Sequence, residues 1–326
     1  MSHRSRQPRV AVAGVRPQGD RRDAGFILVI VISVLSLLAL VAVIFAKIAR
    51  SHTQAVSAAV ASAVAEQLAD AGIQLAVLDL VAGHGDGAHR RRFALNGSAL
   101  DCHAGDGYTL RIAVQDEAGK VDLNAADEPL LRALLFGLGL GGQDGPTAGR
   151  IMDFRDADSA VRPDGAERDE YLAASRPRGP KNGPFEVLEE LHQVLGFKAA
   201  DVALLRPYVT VYSGERGIDP TSASAELIAI LRRGASQLSP ASTDQGSPAS
   251  GTDASGPIPQ PFTGASGRRF FSVSAQARSL NAAFVREAVV EVRPSRTAPY
   301  VLWRWHRGRM PAQPGPAPAG SLPSCW

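Results

Sequence analysis

Between Phe26 and Ala46 the chain carries no charged residue, and Lys47 closes the run. About 20 residues rising 1.5 Å each span roughly 30 Å, the thickness of a bilayer's hydrocarbon core. A cleavable secretory signal has a shorter apolar region, about 7–15 residues, ending on small residues. This run predicts a membrane-spanning helix near the N-terminus. Before it lie Arg4, Arg6, Arg9, Arg16, Arg21 and Arg22 against Asp20 and Asp23. Positive charge is retained on the cytoplasmic side, so the remainder of the chain is expected outside the cytoplasm. Cys102 and Cys325 then face an oxidising compartment, and a disulfide between them is one expectation.

The junction reads Arg21-Arg22-Asp23-Ala24-Gly25-Phe26-Ile27-Leu28. Basic residues, then Gly, Phe and an apolar helix, resemble the leader of type IV prepilins and of the pseudopilins of type II secretion. An ordinary signal anchor is the plain alternative. The resemblance implies cleavage by prepilin peptidase after Gly25 and methylation of Phe26 as the new N-terminus. Most pilins and major pseudopilins carry Glu at the fifth residue after the cut, and here that position is Ile30. A charge inside the membrane is tolerable only when paired. A subunit at a filament tip has no need of that pair, and absence of the Glu is typical of the minor pseudopilin K family.

Downstream, Val60, Val64, Leu68, Leu75 and Leu78 keep helical spacing, so the membrane helix is expected to continue to about Leu80 and end at the glycines of 83–87. Tyr108, Leu110, Ile112 and Val114 alternate as in a half-buried strand. Val121-Asp122-Leu123-Asn124-Ala125-Ala126 introduces a helix through Leu135, with Asn124 as its expected cap. A weak echo starts at Ile218-Asp219-Pro220 and leads into a helix through Leu231. Phe185 to Val211 reads as helix, Gly turn, helix and short extended exit. Leu238 to Gly267, rich in Ser, Pro, Gly and Thr, is expected to be a linker. Alternation returns in Phe271–Ala277 and in Ala288–Val292, and Tyr300–Trp305 is expected to add a third strand.

The order of leader, VDLNAA, DFRDADS, GAERDEY, FEVLEELHQVLG and PYVTV is similar to the minor pseudopilin K family of type II secretion. The resemblance covers roughly residues 20–233, more loosely the later strands, and implies an α+β fold with a helical domain inserted into a small antiparallel sheet. The expected boundaries are a basic leader at 1–25, a transmembrane segment at 26–46 and a pilin-like helix with first strand at 47–118. They continue with the insert at 119–233, a linker at 234–268, closing strands at 269–306 and a disordered Pro-rich tail at 307–326. The implied function is a non-catalytic tip subunit of the pseudopilus, held in the inner membrane by a single pass, with the I and J minor pseudopilins as partners.

Other chemistry finds little support. The sequence has no GxSxG, HExxH, CxxC or Walker loop, and its His residues are singletons. A membrane-anchored, competence-type DNA receptor is the alternative, because residues 185–206 resemble a helix-hairpin-helix unit. Residues 121–231 hold 18 Asp and Glu against 11 Lys and Arg, a balance that repels phosphates; no nucleic acid is expected. The same acidity suggests one site. Asp153, Asp156, Asp158, Asp164, Glu167, Asp169 and Glu170 fall within 18 residues, and calcium takes six to eight oxygen ligands. Arg155, Arg162 and Arg168 interleave them, so ion pairs in a solvated loop account for the composition equally well.

Overall fold

The computed structural model describes residues 21–85, 90–105, 107–141, 145–238, 262–310 and 322–326. The leader up to residue 20 and most of the Ser/Pro-rich stretch lie outside them. The chain divides into two units, Met1–Val60 and Ala61–Trp326. Helix α1, Arg21–Gly85, begins in the first. There every side chain from Phe26 to Val60 is exposed, Leu, Ile and Val included. A helix satisfies its own backbone hydrogen bonds, so an apolar one with nothing packed on it suits lipid. It is, among the described residues, the one helix long and apolar enough to cross a membrane.

In the second unit α1 changes character. Ala65, Ala69, Ile73, Ala76, Val77 and Leu80 recur on one face and are buried, the stripe of a helix lying on a core. They cover a five-stranded antiparallel sheet of order β1 (Asn96–Gly105), β2 (Tyr108–Asp116), β5 (Phe270–Arg278), β6 (Ala283–Val292), β7 (Tyr300–Arg307). Alternation along β2 turns Tyr108, Leu110, Ile112 and Val114 inward, and the register sets Ile112 opposite Ala275 and Val114 opposite Val273. At Gly72 a Cβ would stand 2.5 Å from Leu110 Cδ2 and 2.9 Å from Ala275 Cβ. The absent side chain lets helix and sheet close.

Strands β2 and β5 are hydrogen-bonded neighbours, and the connection between them is the inserted helical domain. It contains β3 (Val121–Asp122) paired in parallel with β4 (Val209–Thr210), and helices α2 (Glu128–Gly137), α3 (Ala148–Arg155), α4 (Arg168–Ala173), α5 (Ala199–Leu205) and α6 (Ala225–Leu238). Its core gathers Leu131, Leu134, Ile151, Phe154, Leu191 and Leu231. The fold is α+β, with a sheet on a helix and a second, helical core.

Three local expectations need correction. Asp127, not Asn124, occupies the N-cap position of α2, with Pro129 in the first turn. Asn124 instead clasps a distant loop, donating to Phe185 O at 2.9 Å and accepting from Phe185 N at 2.7 Å. The first helix expected after Phe185 is a 3-10 helix, Leu188–Gln193, which turns at Gly196 with φ 89° before α5. Finally, the tail is not wholly disordered. Residues 322–326 lie on β1, where His103 N donates to Pro323 O and Cys325 N to His103 O.

Candidate functional site

Helix α3 is started by Thr147, whose hydroxyl accepts from Arg150 N, and near its other end it carries Asp153 into the interior. Asp153 is fully buried. Its Oδ2 accepts from the backbone N–H groups of Ala166 at 2.9 Å and Arg162 at 3.3 Å, wrapping the 156–167 loop around the carboxylate. A Cβ on Gly165 would fall 2.0 Å from that oxygen, so this approach requires glycine. The Arg162 guanidinium stands 3.5 Å from Asp153 Oδ1 and 3.2 Å from Asp156 Oδ2.

Glu167 precedes α4 and is also buried. Asn182, at a left-handed φ of 50°, donates to Asp158 O. Four buried oxygens here have no hydrogen-bond partner: Asp153 Oδ1, Asp156 Oδ1, Glu167 Oε1 and Asn182 Oδ1. Such atoms are costly when empty-handed and rare in folded proteins. Desolvation raises the pKa of Glu167, and the charges of Asp153, Asp156 and Asp158 push the same way. Burial likewise raises Asp153. Both groups hold their protons more tightly than free carboxyls.

The seven expected ligands do not act together. Asp164 and Asp169 are exposed, and Glu170 is spent on the Glu167 backbone N–H at 2.9 Å. Asp158 is exposed and accepts from Ala160 N. Among the described residues no three His, Cys, Asp or Glu side chains form a ready cage for a metal. Asp153, Asp156 and Glu167 each keep one buried oxygen without a hydrogen-bond partner, and so does Asn182. Asn182 was missed because it lies beyond the acidic run; its only sequence signal is the Asn-Gly turn pair. Its unpartnered oxygens are the donor type a hard cation takes.

The other expected positions are spread over the molecule. Gly25 and Phe26 lie within α1, and Ile30 is a half-exposed member of its apolar face. Cys102 on β1 and Cys325 in the tail are joined, with Cα atoms 5.1 Å apart. Between the outer sheet face and the insert lies a cleft of about 390 Å³, lined in part by Val273, Val289, Arg206 and Arg304. Its charges are answered locally: Glu189 meets Arg206 and Arg304, and Glu287 meets His306. Lys120 Nζ, on the same lining, donates to Glu117 Oε1 at 2.7 Å and to Ser272 Oγ at 3.2 Å.

Residues 107–214, from β2 through the acidic pocket to the turn after β4, match the family model of type II secretion system (T2SS) protein K. The match runs through the sheet–insert junction and includes every residue of the pocket. One similar solved structure is a chain of the crystal structure of the GspK-GspI-GspJ complex from the enterotoxigenic Escherichia coli type 2 secretion system. It shares 20% identity, covers 80% of this chain and 99% of its own, and has a TM-score of 0.48. No curated protein matches the sequence.

Proposed function

We propose that this chain is a protein K of type II secretion, a non-catalytic minor pseudopilin at the tip of the pseudopilus, assisting export of folded proteins across the outer membrane. The observation that carries this is the match of residues 107–214 to the protein K family model, on a sheet whose helix continues from a membrane-length apolar segment. A single pass with the basic arm in the cytoplasm sets the second unit in the periplasm. Ile30 supports a tip position, since an apolar residue there demands no partner carboxylate or amine within the membrane. Prepilin peptidase cuts after Gly25 and leaves Phe26 as the N-terminus. The partners are minor pseudopilins of the I and J types, met through apolar helix packing with polar rims.

Co-purification of membrane-extracted protein with the I and J subunits of the same operon tests the assignment. A chain that stays monomeric beside both, or one whose intact mass still begins at Met1, overturns it.

The acidic pocket is proposed as a calcium site, with Asp153, Asp156, Glu167 and Asn182 as the protein oxygens that hold the ion. Calcium would supply the positive charge that Arg162 now only partly provides and would tie the 156–167 loop to α3. Its role is structural. Thermal melts in millimolar calcium and in chelator decide this: a midpoint raised by calcium supports the site, and equal midpoints leave only the ion-paired loop.

A further inference from the structure

Strand β7 is the last strand at one end of the sheet. The opposite edge, β1, is partly covered by the chain's own end through the His103–Ser324 bridge. Among the described residues nothing pairs with the outer side of β7. The phase of its ladder follows from two bonds: Arg293 N donates to Pro299 O, and Gly308 N donates to Val285 O. Hydrogen-bonded and non-bonded pairs alternate in antiparallel sheets, and the register shifts once, at the bulge opposite Val289 and Val290. Tyr300, Leu302, Trp305 and Arg307 therefore turn their N–H and C=O groups away from β6.

Side chains along this edge are of the wrong kind for a strand left in water. Leu302, Trp303, Trp305 and Met310 are 39%, 56%, 36% and 43% exposed. Basic residues outnumber acidic ones in this part of the sequence. Residues 268–309 hold nine arginines and two glutamates. Glu291 is buried between Arg269 and Arg293, and Glu287 is paired with His306; Glu66 and Asp70 answer Arg286 and Glu189 answers Arg304, which leaves the exposed Arg307 and Arg309 as the positive charge at the end of this edge. Open backbone rungs, exposed indoles and the two exposed arginines Arg307 and Arg309 together describe a receptor for an extended chain, with rungs giving affinity and side chains giving choice. Charge complementarity selects the occupant.

We propose that β7 accepts an extended segment of a partner protein, alternating acidic and apolar residues, as a sixth strand of the sheet. The test uses full-length protein in nanodiscs of zwitterionic lipid and a labelled nine-residue peptide alternating Glu and Val, with a Lys–Val peptide as comparison. Two of the chain's three tryptophans sit on β7, so their emission reports occupancy beside the peptide's anisotropy. The Glu–Val peptide binds, the Lys–Val peptide does not, and added salt weakens binding. Leu302→Pro deletes an outward N–H without touching the β6 ladder and weakens binding at least tenfold, while Leu302→Val leaves it unchanged. Should Leu302→Pro disturb folding, the double variant Arg307→Glu/Arg309→Glu serves instead and transfers preference to the Lys–Val peptide. Equal binding of both peptides, or none of the Glu–Val peptide, overturns the proposal; the arginines then serve only to deter pairing. A dimer dissolved by Leu302→Pro would name a second copy as occupant. Indole burial on anionic nanodiscs without peptide binding would name a lipid surface. Either also overturns it.

Discussion

Arg286 on β6 donates from Nε to Asp70 Oδ1 of α1 at 2.5 Å, across 216 positions of sequence. Its second arm reaches Glu66 at 2.7 Å, and its guanidinium lies over the rings of Phe284 and Trp305. The contact fixes both the rotation of the helix and its height on the sheet. The two carboxylates remain partly hydrated, so the cost of breaking the contact falls below that of a fully buried pair. Arg286→Leu is expected to lower unfolding free energy by about 1–2 kcal/mol. Denaturant titration of the full chain in detergent measures it, and an unchanged midpoint would make the contact ornamental.

Gly234 in α6 crosses α2 so closely that a Cβ would stand 1.8 Å from Ala133 O. Two effects oppose each other in Gly234→Ala. Helix propensity favours alanine by about 1 kcal/mol. Against that, the neighbour is backbone and cannot rotate away, and overpacking costs roughly 1–3 kcal/mol or more. The clash wins, and the variant melts lower than wild type; a higher midpoint would show that the helices part freely.

Glu167 supplies a pH-dependent prediction whose sign is set by its raised pKa. The folded state binds this proton more tightly than the unfolded state. Stability from it is therefore complete below the unfolded carboxyl pKa and is lost as pH rises through the folded value. In chelator at neutral pH, Glu167→Gln is expected to be more stable than wild type by on the order of 1 kcal/mol. The gap closes as pH falls into the carboxylate range. Calcium reverses the order, because it needs the charge. Melting midpoints of both proteins between pH 4 and pH 8, with and without calcium, separate these outcomes (about four units, wide enough to cross an ordinary Glu pKa). A variant less stable than wild type in chelator at neutral pH would contradict the reading.

The Cys102–Cys325 bond closes a sequence separation of 223 residues. Loop-closure entropy for so long a loop sets an upper figure of about 5 kcal/mol, and about 2–4 is usual. Double replacement by alanine should lower stability by that amount and release the tail from β1. Limited proteolysis would then clip the C-terminus first. Full alkylation of both thiols in native, unreduced protein would show that the pair does not form.

Much of this architecture was legible along the chain. The run from Phe26 to Ala46 needs no tertiary information, because its length and apolarity state the solvent it requires. Tyr108, Leu110, Ile112 and Val114 disclosed β2 through a period of two, and β5 and β6 did the same. Strand β1 was not legible. Its residues, Asn96 to Gly105, show an irregular burial pattern with Cys102 alone buried, since it is an edge with little to hide.

The acidic site divides in the same way. Composition marked residues 153–170 as crowded with carboxylates, but composition carries no direction. Whether a carboxylate ends buried, like Asp153, or in water, like Asp164 and Asp169, depends on how the loop wraps the end of α3. Asn182 joins the pocket, and Cys325 reaches Cys102, through contacts between positions far apart in sequence. Local periodicity reports which face of an element is apolar. Only the packing of those faces against one another decides which distant polar groups are brought together and left without water.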